Sequence, residues 1–120
     1  MKIGIIGTGA YGLSLAIAFS ENNCDITMWT KNDKEYEELK NDRTNEKKLP
    51  GIIMPKDIKY TTNMGVAVKD KQIIVIAVPA TFVDDVSKEL NKYITKDQHI
   101  CIATKGIEND TCLFIEDVIR

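Results

Sequence analysis

The sequence predicts an α/β domain built on a doubly wound parallel sheet, and three observations carry that reading. A continuous apolar strand, Lys2-Ile3-Gly4-Ile5-Ile6, runs into Gly7-Thr8-Gly9-Ala10-Tyr11-Gly12 and then directly into the apolar stretch Leu13 to Phe19. Strand-like and helix-like segments then alternate along the chain. The run Ile73-Ile74-Val75-Ile76-Ala77-Val78 is apolar at consecutive positions, as in a strand covered on both faces, and Pro79 stops it.

The remaining elements follow in order. Residues 2–6 form the first strand, and a helix from Ala10 to Asn22, apolar on most sides, is expected to be largely buried. Asp25-Ile26-Thr27-Met28-Trp29 is the second strand. Asn32, with Glu35 three residues on, has the pattern of a capping box that opens a polar helix to about Asn41. Asp42 to Asp57, broken by Pro50-Gly51 and Pro55, is irregular. Ile58 to Thr61 is a short third strand, Met64 to Lys69 a short helix, and residues 73–78 the fourth strand. Thr81 is placed to cap a helix whose apolar positions Phe82, Val83, Val86 and Leu90 share a face. His99 to Ala103 is a fifth strand, and a last helix begins near Thr111 with Cys112, Ile115 and Ile119 at helical spacing. Right-handed crossovers between such strands give the order 3-2-1-4-5 of a Rossmann fold.

At 120 residues, with 43% apolar and 28% charged side chains, the chain is read as one domain, residues 1–120, with a real core. A net charge of −2 without a Lys/Arg cluster argues against a nucleic-acid surface. No apolar run approaches the ~18 residues of a membrane span, and the glycine-broken N-terminus is not a signal peptide. The three cysteines, Cys24, Cys101 and Cys112, lack paired spacing, so reduced thiols in a cytoplasmic protein are expected. No metal-ligand cluster and no Ser-His-Asp pattern is visible.

The glycines fit a turn that receives a dinucleotide. Gly7 permits the tight exit from the strand, Gly9 lets backbone approach a pyrophosphate, and Gly12 lets the helix pack on the sheet. The first amides of that helix and its positive dipole end would face the phosphates. Ligands in this architecture lie beyond the carboxyl ends of the strands, which selects three further places: the end of strand two, Val78-Pro79-Ala80-Thr81, and Thr104-Lys105-Gly106. An NAD site commonly has an acid about 20 residues past the glycines. Here Trp29-Thr30-Lys31-Asn32 offers a hydroxyl and a cation instead, which favours NADP over NAD. Asp33 is read as first-turn charge on the next helix, and Asp84 and Asp85 likewise. Lys105, after a buried strand, can set its ammonium on a phosphate or an oxyanion. His99, the only histidine, sits at a strand start, away from that edge, and is read as structural.

Taken together, Ile6-Gly7-Thr8-Gly9-Ala10-Tyr11-Gly12, Thr27-Met28-Trp29, Leu49-Pro50-Gly51-Ile52, Ile76-Ala77-Val78-Pro79 and Ala103-Thr104-Lys105-Gly106-Ile107-Glu108 resemble the N-terminal domain of bacterial NAD(P)-dependent glycerol-3-phosphate dehydrogenase. The resemblance covers essentially the whole chain and implies reduction of dihydroxyacetone phosphate to sn-glycerol 3-phosphate, for phospholipid synthesis. It implies cofactor contacts at Ala10 and Tyr11, a place for Lys31 by the adenosine ribose, and contact of Lys105 with both cofactor and substrate. Two departures stand out. Leu13-Ser14-Leu15-Ala16 replaces the family's more usual Thr-Ala-Leu-Ala, and Lys31 stands where arginine or histidine is more usual. The family's C-terminal helical domain, with a second essential lysine, is absent from this chain, so cofactor binding without turnover is expected of it alone.

Two other readings stay open at this point. One is the cofactor domain of a different two-domain reductase, such as ketopantoate reductase, which is not expected to carry Leu-Pro-Gly-Ile ahead of Thr-Lys-Gly-Ile-Glu. The other is a nucleotide-sensing module without catalysis. Oligomeric state is open as well: an apolar face left uncovered would let two copies pair as a homodimer.

Overall fold

The computed structural model describes residues 1–78, 80–102 and 113–114. Five parallel strands, β1 (Lys2–Ile6), β2 (Asp25–Trp29), β3 (Lys59–Thr61), β4 (Ile73–Ile76) and β5 (His99–Ile102), stand in the order β3-β2-β1-β4-β5, as expected. A sixth, β6 (Leu113–Phe114), adds to β5 in antiparallel fashion. That pair corrects the expected helix near Thr111 at the two described residues. The free edge of β5 offers unpaired backbone groups, and extended Leu-Phe backbone satisfies them. The rest of the expected helix lies outside the described residues.

Between the strands run α1 (Ala10–Glu21), α2 (Asp33–Asp42), α3 (Met64–Val68) and α4 (Val83–Leu90). Alternation of side chains along each strand sorts them onto two faces. Ile3, Ile5, Ile26, Met28 and Val75 meet Leu13 and Ala16 of α1 and Leu39 of α2. Ile6, Ile74, Ile76 and Ile100 meet Met64, Ala67 and Val68 of α3 and Val86 and Leu90 of α4. Two apolar layers on one sheet are the physical basis of the doubly wound form.

Several expectations need correction. Only Gly12, Leu13 and Ala16 of α1 are fully buried, while Leu15, Ile17 and Phe19 pack partly covered against the core, so α1 buries one face and not most of its circumference. Thr81 does not cap α4. Ala80–Phe82 forms a single 3-10 turn, and Phe82 is the N-cap residue without a side-chain bond, because the chain tightens before the helix begins. Phe82 is also 46% exposed, not part of the apolar face. The capping box is half formed: Asn32 Oδ1 accepts from the Lys34 and Glu35 N–H groups, but the Asn32 N–H donates to Thr30 Oγ1, leaving Glu35 free to turn elsewhere. Cys24 is a free thiol, whereas Cys101 is disulfide-bonded, against the expectation of three reduced cysteines; it lies on β5 opposite Phe114, where β6 brings a distant stretch of chain alongside.

The segment between α2 and β3 is irregular in backbone but well anchored. Met54 is buried in the core beside Ile58 and Leu39, and its N–H donates to Arg43 O at 2.7 Å. Glu38 of α2 accepts from Thr44 Oγ1 and from the Glu46 N–H, both at 2.9 Å.

Candidate functional site

The pairing register makes the parallel strands finish level. Thr61 lies beside Trp29, Trp29 beside Ile6, Ile6 beside Ile76, and Ile76 beside Ile102. The residues that follow these strand ends therefore share one edge of the sheet. The Gly7 N–H donates to Trp29 O at 2.8 Å and the Ala77 N–H to Ile6 O at 2.8 Å, which ties three of the four expected places together. Val78 belongs to that group, at the far side of the glycine turn. Pro79, Thr104, Lys105 and Gly106 lie outside the described residues.

The three glycines of the turn differ in what the fold demands of them. Gly7 has φ +122°, and a Cβ there would come within 2.5 Å of Ala77 O, so both conformation and space exclude a side chain. At Gly12 a Cβ would meet Gly7 O at 2.8 Å, which is the close packing of α1 on the strand ends. Gly9 differs: it has φ −73°, and a Cβ there would meet nothing within 4 Å. Nothing in the fold needs glycine at this position, and the space beside it is open.

Gly9 is also the N-cap residue of α1, and its carbonyl accepts the first helical bond from the Leu13 N–H at 2.9 Å. In α2 and α3 an asparagine side chain, Asn32 or Asn63, satisfies first-turn amides. Gly9 has no side chain to do so, and no acidic residue stands in the first turn of α1. An uncapped helix start beside open space at the carboxyl edge is a receptor for an anion such as a pyrophosphate. Ala10 and Tyr11 are the first two residues of this helix, and Tyr11 packs partly against the core.

At the end of β2 the two expected polar residues do different things. Thr30 is buried, and its Oγ1 accepts from the Asn32 N–H at 3.1 Å, so its hydroxyl shapes the loop. Lys31 is exposed, and its Nζ stands 5.1 Å from the centre of the Phe82 ring. The cation is thus held at the mouth of the edge by an aromatic face from across the sheet. Trp29 is fixed by a bond from Nε1 to Thr62 O at 3.1 Å.

Three features escaped sequence reading. Phe82 partners Lys31. The carboxylate that reaches the glycine turn comes from Glu35: Thr8 Oγ1 donates to Glu35 Oε1 at 2.7 Å. Asn45, within the irregular segment, donates from Nδ2 to Thr8 O at 3.0 Å and to Glu35 Oε1 at 2.9 Å. The half-formed capping pattern carried a signal for Glu35; nothing local signalled Asn45. His99 begins β5, at the opposite edge from the glycine turn. A separate basic cleft of about 290 Å³ lies between α2 and β3, lined in part by Lys40, Arg43, Lys56, Lys59 and Tyr60. Burial holds the Tyr60 phenol up at about 12, against the opposing pull of Arg43, and its hydroxyl has no partner. Among the described residues no group of His, Cys, Asp and Glu could hold a metal ion, and no helix is long and apolar enough to cross a membrane.

The level strand ends, the two-faced packing and the glycine turn define a Rossmann-type domain with a dinucleotide-style helix start. The model of the NAD-dependent glycerol-3-phosphate dehydrogenase N-terminus matches residues 2–120, and the chain belongs to that family. It is 44% identical over 120 residues to a glycerol-3-phosphate dehydrogenase (NAD(P)+) of Fusobacterium nucleatum, covering 100% of this chain and 36% of the relative. A second such enzyme, from Lactobacillus delbrueckii subsp. bulgaricus, is 39% identical over 98% of this chain and 35% of its own length. The chain thus spans little more than a third of these relatives. Among solved structures, glycerol-3-phosphate dehydrogenase from Coxiella burnetii superposes with a TM-score of 0.82 at 22% identity, over 90% of this chain and 33% of that one. The enzyme from Saccharomyces cerevisiae does so at 0.81 and 23%, over 99% and 38%. These two likenesses bear on the fold. The family match removes ketopantoate reductase as the reading of the chain.

Proposed function

We propose that residues 1–120 form one cofactor-binding domain that holds NADPH, in preference to NADH, for reduction of dihydroxyacetone phosphate to sn-glycerol 3-phosphate in the cytoplasm. When bound, the cofactor supplies the hydride. In this reading Gly7, Gly9, Ala10, Tyr11 and Gly12 receive the pyrophosphate, Thr30 and Lys31 face the adenosine ribose, and Val78 and Pro79 border the nicotinamide half. Lys105 sets its ammonium against cofactor and substrate, and a second lysine beyond this chain completes the catalytic pair. Residues 1–120 match little more than a third of the relatives' length. Taken by themselves they are expected to bind cofactor without useful turnover, since near-attack positioning of the carbonyl needs groups from both halves of such an enzyme. Pairing into a homodimer belongs to the same reading, with exposed Ile52 and Ile53 as apolar surface available to it.

The observation that carries the proposal is the uncapped start of α1 beside open space at Gly9. Lys31, exposed and steadied on Phe82, is the support for a 2′-phosphate. The test is energy transfer from Trp29, the only tryptophan, to a reduced nicotinamide. Gly9→Ala should cost under about 1 kcal/mol of stability, yet weaken NADPH binding tenfold or more. Undiminished affinity removes the turn from the site. Lys31→Ala should erase a preference for NADPH; an affinity for NADH that equals or exceeds it in both proteins overturns the choice of cofactor.

A further inference from the structure

We propose that Asn45 is a positioning residue for the cofactor: it fixes the Thr8–Gly9 peptide of the glycine turn in its binding orientation. The inference rests on the dinucleotide reading of that turn. Asn45 is 1% exposed, although it lies in an irregular segment 37 positions along the chain from Thr8. Its Nδ2 spends both hydrogens, one on Thr8 O at 3.0 Å and one on Glu35 Oε1 at 2.9 Å. The same carboxylate oxygen accepts from Thr8 Oγ1 at 2.7 Å. Thr8 is therefore gripped at its carbonyl by Asn45 and at its hydroxyl by Glu35, and the bond between those two side chains closes the ring.

The consequence follows from peptide geometry. A trans peptide is planar, and its C=O and N–H point in opposite directions. Holding the Thr8 carbonyl towards Asn45 turns the Gly9 N–H the other way, out of the ring, at the residue whose flank is open. The N–H of Gly9, the glycine of this turn with free space beside it, is thus aimed by a side chain and not left to the flexibility that glycine brings.

A second observation separates this from ordinary loop packing. With both hydrogens of Nδ2 engaged, the amide has one orientation, and Asn45 Oδ1 is left buried without a donor. A buried acceptor in that state is a standing cost that an apolar side chain would avoid. The loop has its own anchors in Glu38, Met54 and the Asn45 carbonyl, which accepts from the Lys48 and Leu49 N–H groups. What the Asn45 side chain adds is the grip on Thr8.

The experiment compares Asn45→Ala with the parent chain for two ligands: NADPH, read by energy transfer, and adenosine 2′-phosphate, which lacks a pyrophosphate, read by competition. We expect about a tenfold loss of NADPH affinity with adenosine 2′-phosphate binding unchanged. Equal losses for both ligands mean general loosening and overturn the proposal, as does undiminished NADPH affinity. Should Asn45→Ala fail to fold, Thr8→Val removes only the hydroxyl arm of the ring. It should weaken NADPH about threefold, with Thr8→Ser restoring the parent value; no loss in Thr8→Val overturns the proposal. A parent chain that binds no NADPH defeats the underlying reading as well, whereas a binding parent with an unaffected variant defeats this inference alone.

Discussion

The glycine turn, whose irregular part is residues 7–9 ahead of α1, and the segment from Arg43 to Ile58 are both connections without regular structure, yet they are ordered by opposite means. The turn holds its shape through backbone permission: Gly7 at φ +122° and Gly12 against Gly7 O accept geometries that other residues refuse. The segment holds its shape through side chains that reach away from it, Met54 into the core, Asn45 to Thr8, and Thr44 to Glu38. Order of the first kind is written at the position where it acts. Order of the second kind depends on partners brought near only by the fold.

The contrast can be broken most severely at Gly7. Gly7→Ala combines a disfavoured φ with a 2.5 Å approach to Ala77 O, and should cost about 3 kcal/mol or more, read as a large drop in the urea midpoint. A loss below 1 kcal/mol by the same measurement would mean that the turn adjusts freely. Met54→Ala tests the other region. A 1% exposed methionine removed from the core should cost about 2–4 kcal/mol, as much as a residue inside a strand. A surface-like value of under about 0.5 kcal/mol would return the segment to the class of loose loops.

The smallest effect sharpens the comparison at Tyr60, which packs against the same core as Met54. Tyr60→Phe removes a buried hydroxyl with no partner, so stability at neutral pH should be unchanged or rise by up to about 1 kcal/mol. The pH dependence has a definite sign. Below the ordinary phenol value of 10.0 the group is neutral in folded and unfolded chains alike. Between 10.0 and about 12 only the unfolded chain ionises, so stability falls as pH rises through that window. The Phe variant should flatten this fall in urea titrations; an identical slope in both proteins would separate Tyr60 from it.

These differences explain what was legible in the sequence. The five parallel strands and their order could be read because consecutive β-branched runs and right-handed crossovers are local or near-universal rules. The glycine turn could be read for the same reason. Thr81 misled because a 3-10 turn and a cap share the same residue types, and the choice between them lies in the approach of the chain to α4. The strand at Leu113–Phe114 depends on the free edge of β5, a partner that helical spacing does not reveal. In the candidate site, Lys31 was visible but its aromatic support was not, since Phe82 comes from the far side of β1 and looked like one more apolar helix position. Glu35 was visible as a capping residue and was assigned the wrong partner, because Thr30 Oγ1 takes the Asn32 amide first.

The open flank of Gly9 has a consequence for descent. Positions 7 and 12 are closed to side chains by the fold itself, so any descendant that folds this way keeps them small. The fold does not guard position 9; under the proposed function only a bound dinucleotide does. In a lineage that ceased to bind a dinucleotide, mutation would fill position 9 while leaving its two neighbours untouched. The residue found there distinguishes a working turn from a relict one.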